Sequence, residues 1–131
     1  MDTVGLVILH KNWPQKIFQS LFEAAQNSEM IGPSRHAAAL VYKNKIICTG
    51  VSQVKTHPMM KLFSKSDKKI HLHAEIDCIV KGINLVGEDL SMYDMYVLRI
   101  SRGKNISLSK PCPICQKAIE AFGINQVYWS S

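Results

Sequence analysis

The chain has 131 residues, 47% of them hydrophobic and 20% charged, which is the length of one domain and the balance of a protein that buries a sizeable core. That balance excludes a disordered tail, a collagen-like repeat and a solvated linker, so residues 1–131 are read as a single domain. Sixteen Lys and Arg against ten Asp and Glu give +6, a bias toward anionic partners.

In chain order, Val4 to Leu9 is an apolar run that reads as a buried strand or as a helix start, its two Val and one Ile favouring strand. It is far shorter than the roughly 20 residues that span a bilayer, and it lacks the basic flank and cleavage site of a secretory signal. The expectation is a cytoplasmic protein without a membrane partner. After Pro14, the residues Ile17, Phe18, Leu21, Phe22 and Ala25 recur at helical spacing to about Asn27. Ala37 to Tyr42 and Ile46 to Val51 then flank Lys43-Asn44-Lys45 as an antiparallel hairpin.

Ser52 to about Ile70 shows no periodicity and reads as a long loop. It falls in the segment that carries the charge: from Met30 to Ala74, Arg35 and seven lysines stand against Asp67 alone, net +7, leaving the rest of the chain near neutral at −1. Lysine is a point-charge phosphate binder, whereas a base-reading surface favours arginine forks. The segment is therefore either a solvated loop or a surface for a substrate that carries phosphate.

Leu72 to about Ile83 is helical through Ala74, Ile76, Ile79 and Val80. Tyr93 to Ile100 is a strand rich in β-branched and aromatic residues. Pro113 opens a helix that Gly123 closes, and Ile124 to Trp129 is the last strand. Strands separated by helices in the later half predict an α/β sandwich with a mixed central sheet.

Four cysteines without a secretory signal read as thiols rather than as two disulfides. Cys48 and Cys78, alone in apolar stretches, are expected to be ordinary buried thiols. Cys112 and Cys115 are different. They sit in Pro111-Cys112-Pro113-Ile114-Cys115 at a helix start, while His73-Ala74-Glu75 opens another helix. Two thiolates and one imidazole are a good zinc set, and three protein ligands leave a tetrahedral position open, as in catalytic sites. A helix N-terminus favours the deprotonated thiol. A metal there lowers the pKa of water, and Glu75 beside it suits a proton shuttle. His71, two residues before His73, points away in the simplest geometry.

The pair H-A-E and P-C-P-I-C resembles the signature of the zinc-dependent cytidine and deoxycytidylate deaminases. Arg35 to Val41 followed by Lys45 to Gly50 looks like that family's first hairpin, and Ile119 to Trp129 resembles its later helix and strand. The resemblance implies a three-layer α-β-α sandwich of the cytidine deaminase-like fold, with Val4 to Leu9 as a fifth strand at the sheet edge. It also implies hydrolytic deamination with one catalytic Zn2+: His73, Cys112 and Cys115 as ligands and Glu75 as the shuttle. Ala74 and Lys110 stand where family members contact the pyrimidine ring through the backbone. Ser52 replaces an Asn that contacts the sugar.

The implied substrate is a free cytosine nucleotide, dCMP above all, with Lys55 and His57 reading the phosphate from a loop that closes over the pocket. Two alternatives stand beside it: a deaminase acting on single-stranded DNA or RNA, its basic loop tracking the strand, and a non-catalytic zinc-binding regulatory domain. The resemblance further implies a homo-oligomer.

Overall fold

The computed structural model describes residues 13–64, 71–103 and 105–131. Its elements run α1 (Gln15–Gln26), β1 (Ser34–Tyr42), β2 (Lys45–Val51), α2 (Pro58–Ser64), α3 (Ala74–Val86), β3 (Asp94–Ser101), β4 (Asn105–Ser107), α4 (Pro113–Ala121) and β5 (Val127–Trp129). The strand expected over Val4 to Leu9 lies outside the described residues.

Strand alternation sends successive side chains of the sheet to opposite faces. From β1 and β3, Ala37, Ala39, Val41, Leu98 and Ile100 pack under Ile17, Leu21 and Ala25 of α1. Ala38, Leu40, Met95 and Val97 face the other way, into a core shared with Ile76 and Ile79 of α3 and Ala118 and Ile119 of α4. The result is the expected three-layer α-β-α sandwich. Five strands form the sheet in the order β2-β1-β3-β4, with β5 also paired to β3. The β3–β5 pairing is parallel and the others are antiparallel, so the sheet is mixed. The hairpin turn is the two-residue kind, with positive φ at Lys43 (48°) and Asn44 (64°), which matches the twist of the strands it joins.

Four departures from the sequence reading have local causes. The stretch expected as an unbroken loop contains α2, whose Met60 is fully buried; two turns are too few to show a period. Helix α3 starts two residues late because Leu72 is spent on an isolated bridge, its N–H donating to Lys55 O at 2.8 Å and Gln53 N donating to its carbonyl at 3.0 Å. Strand β4, only three residues long, was not foreseen. The last strand begins at Val127, since Ile124 and Asn125 N–H groups go to Ile119 O (3.2 Å) and Tyr93 O (2.9 Å).

Among the described residues no helix is long and apolar enough to cross a membrane. All four cysteines are free thiols. Cys48 and Cys78 pack β2 against α3, each thiol directed at the other's carbonyl at 3.6 and 3.9 Å.

Candidate active site

Two helix N-termini converge on one point. His73 is the N-cap of α3 and Cys112 the N-cap of α4, both with extended backbone (ψ 150° and 169°) and neither capping with its side chain. Their carbonyls accept the first helical bonds, from Asp77 N at 3.0 Å and Gln116 N at 2.9 Å. That frees both side chains to turn toward each other. Pro113 at the first helical position pre-sets the turn and brings Cys115 to the same spot.

His73 Nδ1 lies 3.3 Å from Cys115 Sγ and 3.4 Å from Cys112 Sγ, and the three donor atoms fall within 4.8 Å of one another. Zinc bound tetrahedrally to nitrogen and sulfur holds such atoms about 3.5 Å apart. The residues present therefore fit a zinc ion. The electrostatics agree: hydrogen bonds from Cys115 and His73 hold the Cys112 thiol down at about 4 against burial. Cys115, paired with that thiolate and buried, is pushed the other way. Burial lowers His73, but the Cys112 thiolate outweighs it and the imidazole pKa is raised.

Glu75, in the first turn of α3, is 6% exposed and lines the same cavity as His73 and Cys112. Its separation from His73 along the chain does not turn it away, because the extended N-cap backbone breaks helical phase. Burial raises its carboxyl pKa.

His73, Glu75 and Cys112 line a cavity of about 220 Å³, with His36, Ser52, His71, Arg99, Ser109 and Lys110 among its further walls. Ser52, Ala74 and Lys110, expected as substrate contacts, are among the residues that line it. Ser52 is buried, and its Oγ accepts from His36 N at 3.3 Å. The Lys110 ammonium sits 5.9 Å above the Trp129 ring. Lys55 and His57, expected to read the phosphate, are not among the residues that line this cavity. Lys55 lines a neighbouring cavity with Asn27, Glu29 and Gln53, and His57 Nδ1 accepts from Met59 N at 3.0 Å, fastening the start of α2. The bridge between Gln53 and Leu72, with Leu72 N donating to Lys55 O at 2.8 Å, ties that segment to the chain just before His73.

His36 and Arg99 were missed. They are register partners on β1 and β3, on the face that Ala38 and Val97 carry into the core. The signal was present in Met95-x-Val97-x-Arg99, a cation continuing a buried alternation. Burial, and then Arg99, depress His36 to about 4, which keeps its imidazole neutral. Burial and then His73 lower His71, whose ring lies 4.6 Å from that of His73.

The loop that delivers Cys112 is clamped. Ser109 Oγ donates to Val97 O at 2.8 Å and meets Ser130 Oγ at 2.9 Å, while Ser109 N donates to Ser130 O at 2.9 Å. Ser130 Oγ in turn donates to Ser107 O at 2.7 Å and accepts from Arg99 N at 3.1 Å.

A two-thiolate, one-imidazole cluster opening into a cavity beside a buried carboxyl defines a metal centre of the catalytic kind. The family model for the cytidine and deoxycytidylate deaminase zinc-binding region matches residues 11–131, and the chain belongs to that family. Among solved structures it is similar to the dCMP deaminase from the cyanophage S-TIM5 in apo form, at 21% identity and a TM-score of 0.53, covering 88% of this chain and 83% of that one. The dCMP deaminase of the same phage in complex with dCMP and dUMP aligns at 18% identity and a TM-score of 0.52, covering 90% and 83%. At these identities the likeness is one of fold. A comparison with curated protein sequences gives no match.

Proposed function

We propose that the protein hydrolyses the exocyclic amine of a free cytosine nucleotide, dCMP to dUMP, with release of ammonia. The observation that carries this reading is the buried Glu75 carboxyl beside the His73–Cys112–Cys115 cluster, in a chain of the deaminase family. The ligand-bound S-TIM5 enzyme, which holds dCMP and dUMP, supports the choice of substrate.

His73, Cys112 and Cys115 hold the zinc ion, which when bound supplies a Lewis acid that acidifies water. Glu75 does the proton work. Its carboxylate takes the two protons of the attacking water in turn, passing the first to the ring nitrogen and the second to the departing amine, so the water oxygen becomes the 4-carbonyl and ammonia leaves. Burial suits it to both halves of the cycle, because a raised pKa brings the protonated and ionised forms closer in energy near neutrality. The first N–H groups of α3, including that of Ala74, have no partner within the helix, and Ala74 lines the cavity. Together with the Lys110 carbonyl they offer the donor and acceptor that a pyrimidine edge needs. Ser52, half used by the His36 N–H, keeps its hydroxyl hydrogen for the sugar.

The test is ammonia release by the zinc-loaded protein from dCMP, dCTP, deoxycytidine and a cytosine-containing single-stranded oligonucleotide, with Glu75→Gln as the blank. Turnover of dCMP above the blank is expected. Turnover of the oligonucleotide alone would replace this reading with a polynucleotide deaminase.

A further inference from the structure

The cavity that the donor cluster opens into is also lined by Arg99 and Lys110, cations outside the lysine-rich segment. Arg99 continues the alternation of Met95 and Val97, both fully buried, and emerges beyond the point where the core ends. It faces His36 on one side and Ser107 on the other across the sheet. The β3–β4 hairpin then brings Leu108, Ser109 and Lys110 back past it into Pro111 and Cys112, so one short covalent path links Arg99 to the donor cluster.

A guanidinium has five N–H donors in a rigid fork. Here Nη1 makes one long bond, 3.4 Å to Leu108 O, and Nε is buried with no partner among the described residues. Among the described residues no carboxylate other than Glu75 lines the cavity, and Glu75 belongs to the metal side. Arg99 is half-buried, so water reaches part of the guanidinium while Nε stays unmet, and an anion in the cavity would complete it. Bidentate guanidinium–phosphate pairing is the strong form of that completion.

We infer that Arg99 is the residue that recognises the 5′-phosphate of the substrate, with the exposed Lys110 ammonium as a second, outer cation. This deepens the deaminase reading and rests on it. It moves phosphate recognition from Lys55 and His57, neither of which lines this cavity, to the hairpin that delivers Cys112. His36 stays neutral beside Arg99, so the guanidinium is the fixed charge at this wall.

The experiment compares wild type, Arg99→Ala and Arg99→Lys, each zinc-loaded, on dCMP, deoxycytidine and a cytosine-containing oligonucleotide. In Arg99→Ala the ratio of kcat/KM for dCMP to that for deoxycytidine is expected to fall about a hundredfold, mostly through KM, with Arg99→Lys between. Equal losses on both substrates would make Arg99 a packing residue and overturn the inference, as would no loss on dCMP. A fall confined to the oligonucleotide would overturn the terminal phosphate in favour of a strand phosphodiester. Calorimetric titration with dUMP and deoxyuridine separates the two readings. If wild type turns over no substrate, the deaminase reading fails, and the dUMP preference and its loss in Arg99→Ala still decide the anion site. Should Arg99→Ala not fold, the same ratios in Arg99→Lys decide it.

Discussion

Gly50 of β2 and Cys78 of α3 touch backbone to backbone: a Cβ on Gly50 would stand 2.3 Å from Cys78 N and 2.5 Å from Ala74 O. The obstacle is main chain, so no rotamer change relieves it. This contact sets how closely α3 lies on the sheet, and therefore where its first turn presents His73 and Glu75. Nearby, Asp77 Oδ2 accepts from Val51 N at 3.0 Å and pairs with Lys81 at 3.0 Å, pinning the same helix turn to the end of β2. Gly50→Ala is expected to destabilise the protein by about 3 kcal/mol or more, read as a lower urea midpoint. An unchanged midpoint would show that α3 can ride up without cost.

Glu75→Gln keeps the size of the side chain and removes its capacity to exchange a proton. Turnover should fall by about 10²- to 10⁴-fold with zinc retained, measured as ammonia release beside metal content. Full activity in this variant would remove Glu75 from the mechanism.

Cys112→Ala should abolish stoichiometric zinc binding and activity together, since two remaining donors do not hold the ion. Metal analysis after gel filtration checks it. Retained zinc would point to a ligand set other than His73, Cys112 and Cys115.

Lys55→Ala should change kcat/KM for dCMP by less than about threefold, because an exposed lysine in the adjoining cavity is heavily screened at physiological salt. A loss comparable to that of Arg99→Ala would restore the lysine segment as the phosphate binder.

Alkaline stability has a defined sign. Burial, then Tyr128 and Asp94, push Tyr96 up to about 12 from its ordinary 10.0. The folded state therefore favours the neutral phenol, and its contribution is intact below pH 10 and lost as pH climbs toward 12. Urea midpoints over this window should drop less steeply for Tyr96→Phe than for wild type. Parallel curves would show that Tyr96 titrates normally in the fold.

What the residues alone determined is local. Helical spacing of Ile17, Leu21 and Ala25 fixed the face of α1, Lys43-Asn44 fixed a tight hairpin, and Pro113 with Cys112 and Cys115 packed two thiols into one helical turn. Each depends on neighbours within a few positions, where stereochemistry decides. The pairing of His73 with the C-x-x-C was legible only through residue chemistry and family resemblance, because 39 and 42 residues separate the partners. Tertiary structure decided the rest. Sheet register set Arg99 opposite His36, Lys55 came to line a second cavity, and burial of Met60 made a helix where no period shows. Register and burial are set by the summed packing of distant segments, and no window of sequence contains that sum.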